Sequence, residues 1–170
     1  METTPLHTYL NQQLHIYRMH TVWGDLPRGS KYRMVDLFEW FLKNAKSFDR
    51  NHKQKALEYI ELGYRKPEFK SCYHNSMLCG RPSQSKYYEG WASLAIPIEH
   101  AWNIIDDQVI DTTLTLFKEE RQNISYLGIE IPWTFVHSMV DQDTNFHRAG
   151  TSGPFLFDYI LQRLEDEEEE

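Results

Sequence analysis

The chain has 170 residues, of which 41% are hydrophobic and 14% aromatic. That is enough apolar material for one substantial core and too much for a disordered protein. The formal net charge is −7, but six acidic residues fill positions 165–170, so the rest of the chain is close to neutral. No basic face indicates that the protein binds nucleic acid. We therefore expect a single domain over residues 1–164, followed by a solvated acidic tail over 165–170.

The first five residues lack the basic start and apolar segment of a signal peptide. No run approaches the roughly 20 apolar residues that a membrane span requires. We expect a cytoplasmic protein without a membrane partner. Two cysteines in a chain of this size do not make a disulfide framework, and we predict no cofactor.

Helical periodicity predicts three helices in the first third of the chain. The first covers about 4–20, with Leu6, Leu10 and Leu14 at helical spacing. The second follows a break at 24–29; Ser30 can cap it, and its apolar stripe runs to about residue 45. The third covers about 51–62.

The predictions for the last third of the chain are less definite. Residues 114–122 are ambiguous, 125–131 favour a strand, and 132–140 fit a strand or a helix. Residues 141–153 are rich in turn formers and indicate a loop. A closing helix over 154–164, started by Ser152, completes the domain.

Between these parts lies a stretch that begins with a short predicted helix. Pro67 disfavours helix before it, Ser71 can cap it and Gly80 can end it, so its first residue is Cys72. Unpaired backbone N–H groups and the helix dipole favour a thiolate at such a position. Cys79 lies seven positions on, about 10 Å away on nearly the same face, and is predicted to be an inert core thiol too distant for a bridge.

Strands follow this helix. Alternation over 86–94 predicts one strand, and two β-prone runs, 99–105 and 108–113, flank a predicted two-residue hairpin loop at 106–107. With that loop, Asp111 lies opposite Trp102, and it shares a face with His100 about 7 Å away at the backbone. The same register sets Thr113 opposite His100. A three-residue loop would move Asp111 to the opposite face.

Cys72, His100 and Asp111 thus follow one another in the order of an activated cysteine nucleophile. A thiol needs a base to take its proton, and the imidazole that does so is oriented by a carboxylate. We predict these three as catalytic residues. Trp91 and Trp102 flank them, and the sequence leaves open whether they pack in the core or line a substrate groove.

The motifs in this stretch resemble the transglutaminase-like branch of the papain-like cysteine enzymes. They are Cys72 at a helix start, the segment 89–92 at a strand end, His-Ala-Trp at 100–102 and Asp-Thr-Thr at 111–113. The resemblance implies an α+β fold with N-terminal helices, in which the cysteine helix packs on an antiparallel sheet. It also implies acyl transfer or amide hydrolysis through a thioester, acting on a protein, peptide or small amide.

By that resemblance Cys72 is the nucleophile, His100 the general base and then acid, and Asp111 the orienting carboxylate. The spacing is more compact than in larger members, and Lys66 stands where papain-type enzymes carry an oxyanion glutamine. The backbone N–H of Cys72 is then the default oxyanion donor. The run also looks like small uncharacterised phage and bacterial proteins, and the alternative function is a non-catalytic accessory protein that binds a host partner.

A zinc site made from Cys72, His74, Cys79 and His100 is the rival constellation. Cys72 and His74, two positions apart on a helix, point roughly 200° apart, which tetrahedral coordination does not permit without unwinding. We therefore predict no metal.

Overall fold

The computed structural model describes residues 4–19, 30–49, 53–61, 70–80, 85–117, 124–142 and 154–169. Predictions at 24–29, Pro67, Lys66, Ser152 and most of 141–153 lie outside these ranges. The elements in chain order are α1 (Pro5–Met19), α2 (Met34–Asn44), β1 (Lys46–Phe48), α3 (Lys53–Glu61), α4 (Cys72–Gly80), β2 (Lys86–Ala92), β3 (Ile98–Ile105), β4 (Gln108–Ile110), α5 (Thr112–Phe117), β5 (Tyr126–Ile131), α6 (Trp133–Gln142) and α7 (Leu156–Glu169).

The strands form one antiparallel sheet in the order β1-β5-β2-β3-β4. β2 lies at its centre and pairs along its length with β3 and β5. The predicted combination of helices with an antiparallel sheet is therefore confirmed. β1 was not predicted, because it has only three residues and two of them are exposed, so no alternation marks it.

Helices from both ends of the chain cover one side of the sheet. α1, α2 and α7 bury their apolar stripes there against β2 and β5, which is why these amphipathic patterns were readable from the sequence. A second cluster gathers around Trp102, and α4 packs across β3 with Cys79 beside Ile105. Members of the main cluster include Leu10, Phe38, Phe41, Tyr87, Trp91, Leu127 and Ile160.

The helix predictions differ from the structure mainly at their ends. Residues 132–140, left open between strand and helix, lie mostly in α6. The acidic residues predicted as a solvated tail belong to the last turns of α7 as far as Glu169. They are exposed, but Glu167 accepts a hydrogen bond from Trp40 and Glu168 pairs with Lys31.

The β3–β4 hairpin has the predicted register. Ile105 pairs with Gln108 across Asp106 and Asp107, whose φ angles are 50° and 58°. Two successive positive φ values define a type I′ turn, whose twist suits a two-residue hairpin.

The predicted continuation of this ladder to residue 113 was wrong. Pairing ends where Asn103 faces Ile110, so Asp111 does not lie opposite Trp102 and Thr113 does not lie opposite His100. The chain instead enters α5 at Thr112. Asp111 is the cap of that helix, because its Oδ1 accepts a hydrogen bond from the N–H of Leu114 at 2.8 Å.

Candidate active site

Cys72 is the first residue of α4, as predicted. The N–H of Asn75 donates to the carbonyl of Ser71 at 2.9 Å, which is the first bond of the helix and makes Ser71 its N-cap. The Cys72 side chain is partly exposed and lies near enough to His100 for the two side chains to interact. The thiol therefore lies between the imidazole of His100 and solvent.

His100 comes from β3 and joins the other two predicted residues. It is 2% exposed, and its Nε2 lies 2.7 Å from Oδ2 of Asp111. Because Nε2 is used there, Nδ1 is the ring nitrogen left for the thiol. The three residues chosen from the sequence are thus brought together, with His100 hydrogen-bonded to Asp111 and in interaction range of Cys72.

Asp111 is held from two further directions. Its Oδ1 accepts the Leu114 N–H, and its Oδ2 accepts the hydroxyl of Tyr126 at 2.9 Å in addition to His100. The carboxylate is 1% exposed. Sequence reasoning missed Tyr126, because it lies on β5 and nothing near it in the sequence indicates a contact with the β4–α5 junction.

Electrostatics favour a protonated imidazole. Burial opposes charge on the ring, but the charge of Asp111 and the hydrogen bonds to Asp111 and Cys72 outweigh it and raise the pKa of His100 to about 10. Burial, and then the nearby Asp111, raises the pKa of Tyr126 well above its usual range, so that hydroxyl stays a donor. The site therefore favours the imidazolium form of His100.

The two tryptophans predicted as possible groove walls are packed inside the protein. Trp91 lies against Phe38 and Phe41 in the main cluster. Trp102 is fully buried, and its ring stacks on His100 with centroids 6.5 Å apart and planes 15° from parallel. Neither offers a surface to a substrate in this structure. Trp102 instead packs beside the imidazole of His100.

Gly128 makes room for that tryptophan. A Cβ at this position would lie 2.4 Å from Cη2 of Trp102 and 2.6 Å from the carbonyl oxygen of Glu89. A glycine is therefore required where the Trp102 ring crosses β5.

Cys79 is a buried core thiol, as predicted. It is 3% exposed among Ile105, Ile110 and Ala56, and burial raises the pKa of its thiol to about 12. Within the described ranges no group of three or more histidine, cysteine, aspartate or glutamate residues is placed to hold a metal ion. None of the described helices has the length and apolar character needed to cross a membrane.

Comparison with known proteins does not place the chain in a family. No family model matches it, and neither a curated protein nor a solved structure does.

Proposed function

We propose that this protein is a cysteine-dependent acyl transferase or amide hydrolase that works through a thioester. The observation that carries the proposal is the placement of Cys72 beside a buried His100 whose Nε2 lies 2.7 Å from Oδ2 of Asp111. A thiol, a base and an orienting acid within hydrogen-bond reach are the parts that activate a cysteine nucleophile. We also propose that α4 and the sheet form a papain-like core, as the sequence resemblance implies.

Acylation begins with proton transfer from Cys72 to Nδ1 of His100. The thiolate sulfur attacks the carbonyl carbon of an amide, and the carbonyl electron pair moves to oxygen. The tetrahedral intermediate then collapses: the carbon–nitrogen bond breaks, the nitrogen takes the proton from His100, and the amine leaves. Cys72 remains as a thioester, and His100 is neutral again.

Deacylation uses the same groups in reverse. His100 accepts a proton from water or from a second amine as that nucleophile attacks the thioester carbonyl. Collapse breaks the carbon–sulfur bond and returns the proton to sulfur. The product is a carboxylic acid after hydrolysis or a new amide after transfer.

The negative oxygen of each intermediate needs hydrogen-bond donors. The backbone N–H of Cys72 is our choice, because the first N–H groups of a helix have no intrahelical acceptor and the positive end of the dipole faces the same region. The acyl donor is a protein, a peptide or a small amide. We expect the reaction in the cytoplasm, that of the host if the chain is phage-encoded.

The test uses the two cysteines as each other's control. Wild type, Cys72→Ala and Cys79→Ala are incubated with an activated acetyl ester or with iodoacetamide, and the modified residue is identified by mass spectrometry after digestion. We expect rapid modification of Cys72 in wild type and Cys79→Ala, turnover of its acetyl group, and none of this in Cys72→Ala. Equally slow modification of both thiols would favour the non-catalytic binding protein instead.

A further inference from the structure

We infer that Tyr126 is a positioning residue of this site, which holds the Asp111 carboxylate in the orientation that His100 requires. The inference rests on the proposed function, since positioning has a purpose only if Cys72 reacts. Nothing in the sequence motifs assigns a role to Tyr126. Its contact with Asp111 is the observation that does.

The contact spans the sheet. Tyr126 begins β5, which is separated from β3 by β2, and yet its hydroxyl reaches Oδ2 of Asp111 at 2.9 Å. The same oxygen receives Nε2 of His100 at 2.7 Å. The aromatic rings of Tyr126 and His100 have centroids 6.4 Å apart, with Trp102 packed against both. The tyrosine and the histidine therefore converge on one carboxylate oxygen.

Two donors on different oxygens fix the carboxylate in position and in rotation. The Leu114 N–H holds Oδ1 from the backbone of α5, while Oδ2 accepts from both His100 and Tyr126. Tyr126 adds a second donor to Oδ2, so that this oxygen stays directed at His100 without relying on the His100 bond alone. Its hydroxyl also stabilises the ionised carboxylate, which in turn stabilises the imidazolium.

Loss of the Tyr126 hydroxyl should therefore weaken the support that Asp111 gives to the His100 imidazolium. In Tyr126→Phe the buried Asp111 has one donor fewer, so its charged form is less stable and supports the imidazolium less. We expect the rate of Cys72 modification at neutral pH to fall about tenfold to a hundredfold. The acid limb of the pH–rate profile should move to higher pH, while the KM for an activated ester changes little.

Tyr87→Phe is the matched control. Tyr87 is as buried as Tyr126, and its hydroxyl also donates to a carboxylate, Oε1 of Glu89 at 2.7 Å. The two variants lose the same atom from comparable surroundings. If Tyr126 only supports the fold, both variants should lose stability and retain the wild-type pH profile.

The experiment measures iodoacetamide modification of Cys72 against pH in wild type and both variants, together with the His100 imidazole N–H signals by NMR. The inference predicts that Tyr126→Phe alone shifts the profile and the Nε2 proton resonance. An active wild type with an unchanged Tyr126→Phe profile and resonance would overturn the inference but leave the proposed function intact. A wild type without selective Cys72 chemistry would overturn both.

Discussion

Two buried carboxylates in this molecule, Asp111 and Glu89, have nearly the same surroundings. Each is 1% exposed and accepts one tyrosine hydroxyl. Each also accepts from the backbone at the start of a helix. Asp111 accepts the N–H of Leu114 in α5, and Glu89 accepts the N–H groups of Leu156 in α7 and of Phe155 just before it. They differ in that Asp111 has His100 on its second oxygen.

The histidine is what distinguishes Asp111, a carboxylate that can orient a catalytic base, from Glu89, a structural carboxylate. Burial raises the pKa of Glu89 to about 7, and its hydrogen bonds from Tyr87, Phe155 and Leu156 only limit the rise. Beside Asp111 the imidazole carries the opposite charge, and the pKa of His100 is raised in return. A tyrosine and a helix N-terminus can thus anchor an acid in either place, but only the histidine connects the acid to a thiol.

The largest expected effect comes from changing each acid to its amide. In Asp111→Asn one carbonyl oxygen must serve either the Leu114 N–H or His100, so the imidazole loses its partner or α5 loses its cap. We expect Cys72 acylation to fall about a hundredfold or more. Glu89→Gln should react like wild type, because the amide oxygen can accept the N–H groups of Phe155 and Leu156 and its nitrogen can donate to Tyr87.

Acylation rates with an activated ester, measured on both variants after melting curves have shown them folded, test this contrast. A comparable loss in the two variants would mean that the histidine does not distinguish the carboxylates.

The parts of the site that local rules govern could be predicted from the sequence. The start of α4 follows from Ser71 and Gly80, and the hairpin register follows from two residues that tolerate positive φ. The cap role of Asp111 was missed because β-prone residues follow it, and a local pattern does not show that its side chain would satisfy the α5 backbone instead. Tyr126 was missed because its partner lies across the sheet, where no periodicity in the sequence reports a contact.

A smaller effect concerns stability against pH and belongs to Glu89. Its pKa is about 7 in the folded protein and near 4.5 when unfolded, so between these values the native state binds more protons. The free energy of unfolding therefore falls as pH rises through that window, by up to about 3 kcal/mol from this group. Below about pH 4.5 this loss of unfolding free energy is absent, and above about pH 7 it is complete.

Glu89→Gln removes this titration. Urea unfolding across the window should show a wild-type stability that falls more steeply with pH than that of the variant, with the gap closing toward the acidic end. Glu99, whose pKa is also raised by burial, titrates in both proteins and cancels in the difference. Asp158 interacts with Glu89 and belongs to the same measured titration. Parallel curves would show that Glu89 is ionised throughout.

The smallest expected effect lies in the turn that positions Asp111 and has no counterpart at Glu89. Asp107 has a φ of 58°, a conformation that glycine adopts without the steric cost of a Cβ. Asp107→Gly should therefore raise the free energy of unfolding by a few tenths of a kcal/mol to about 1 kcal/mol, since relief of strain is partly offset by a more flexible unfolded chain. Asp107 is the better choice than Asp106, whose carboxylate pairs with Lys55 at 2.7 Å.

Asp107→Ala is the control, because alanine keeps the Cβ and loses the polar group that makes aspartate tolerant of positive φ; it should lose about 1 kcal/mol. Hydrogen exchange adds the spatial test. In Asp107→Gly the amides of β4 should exchange more slowly, while those at the start of α7 beside Glu89 change only with global stability. Equal changes at both places would mean that the turn does not specifically stabilise the hairpin leading to Asp111, and that the register is held instead by the buried side chains of β3 and β4.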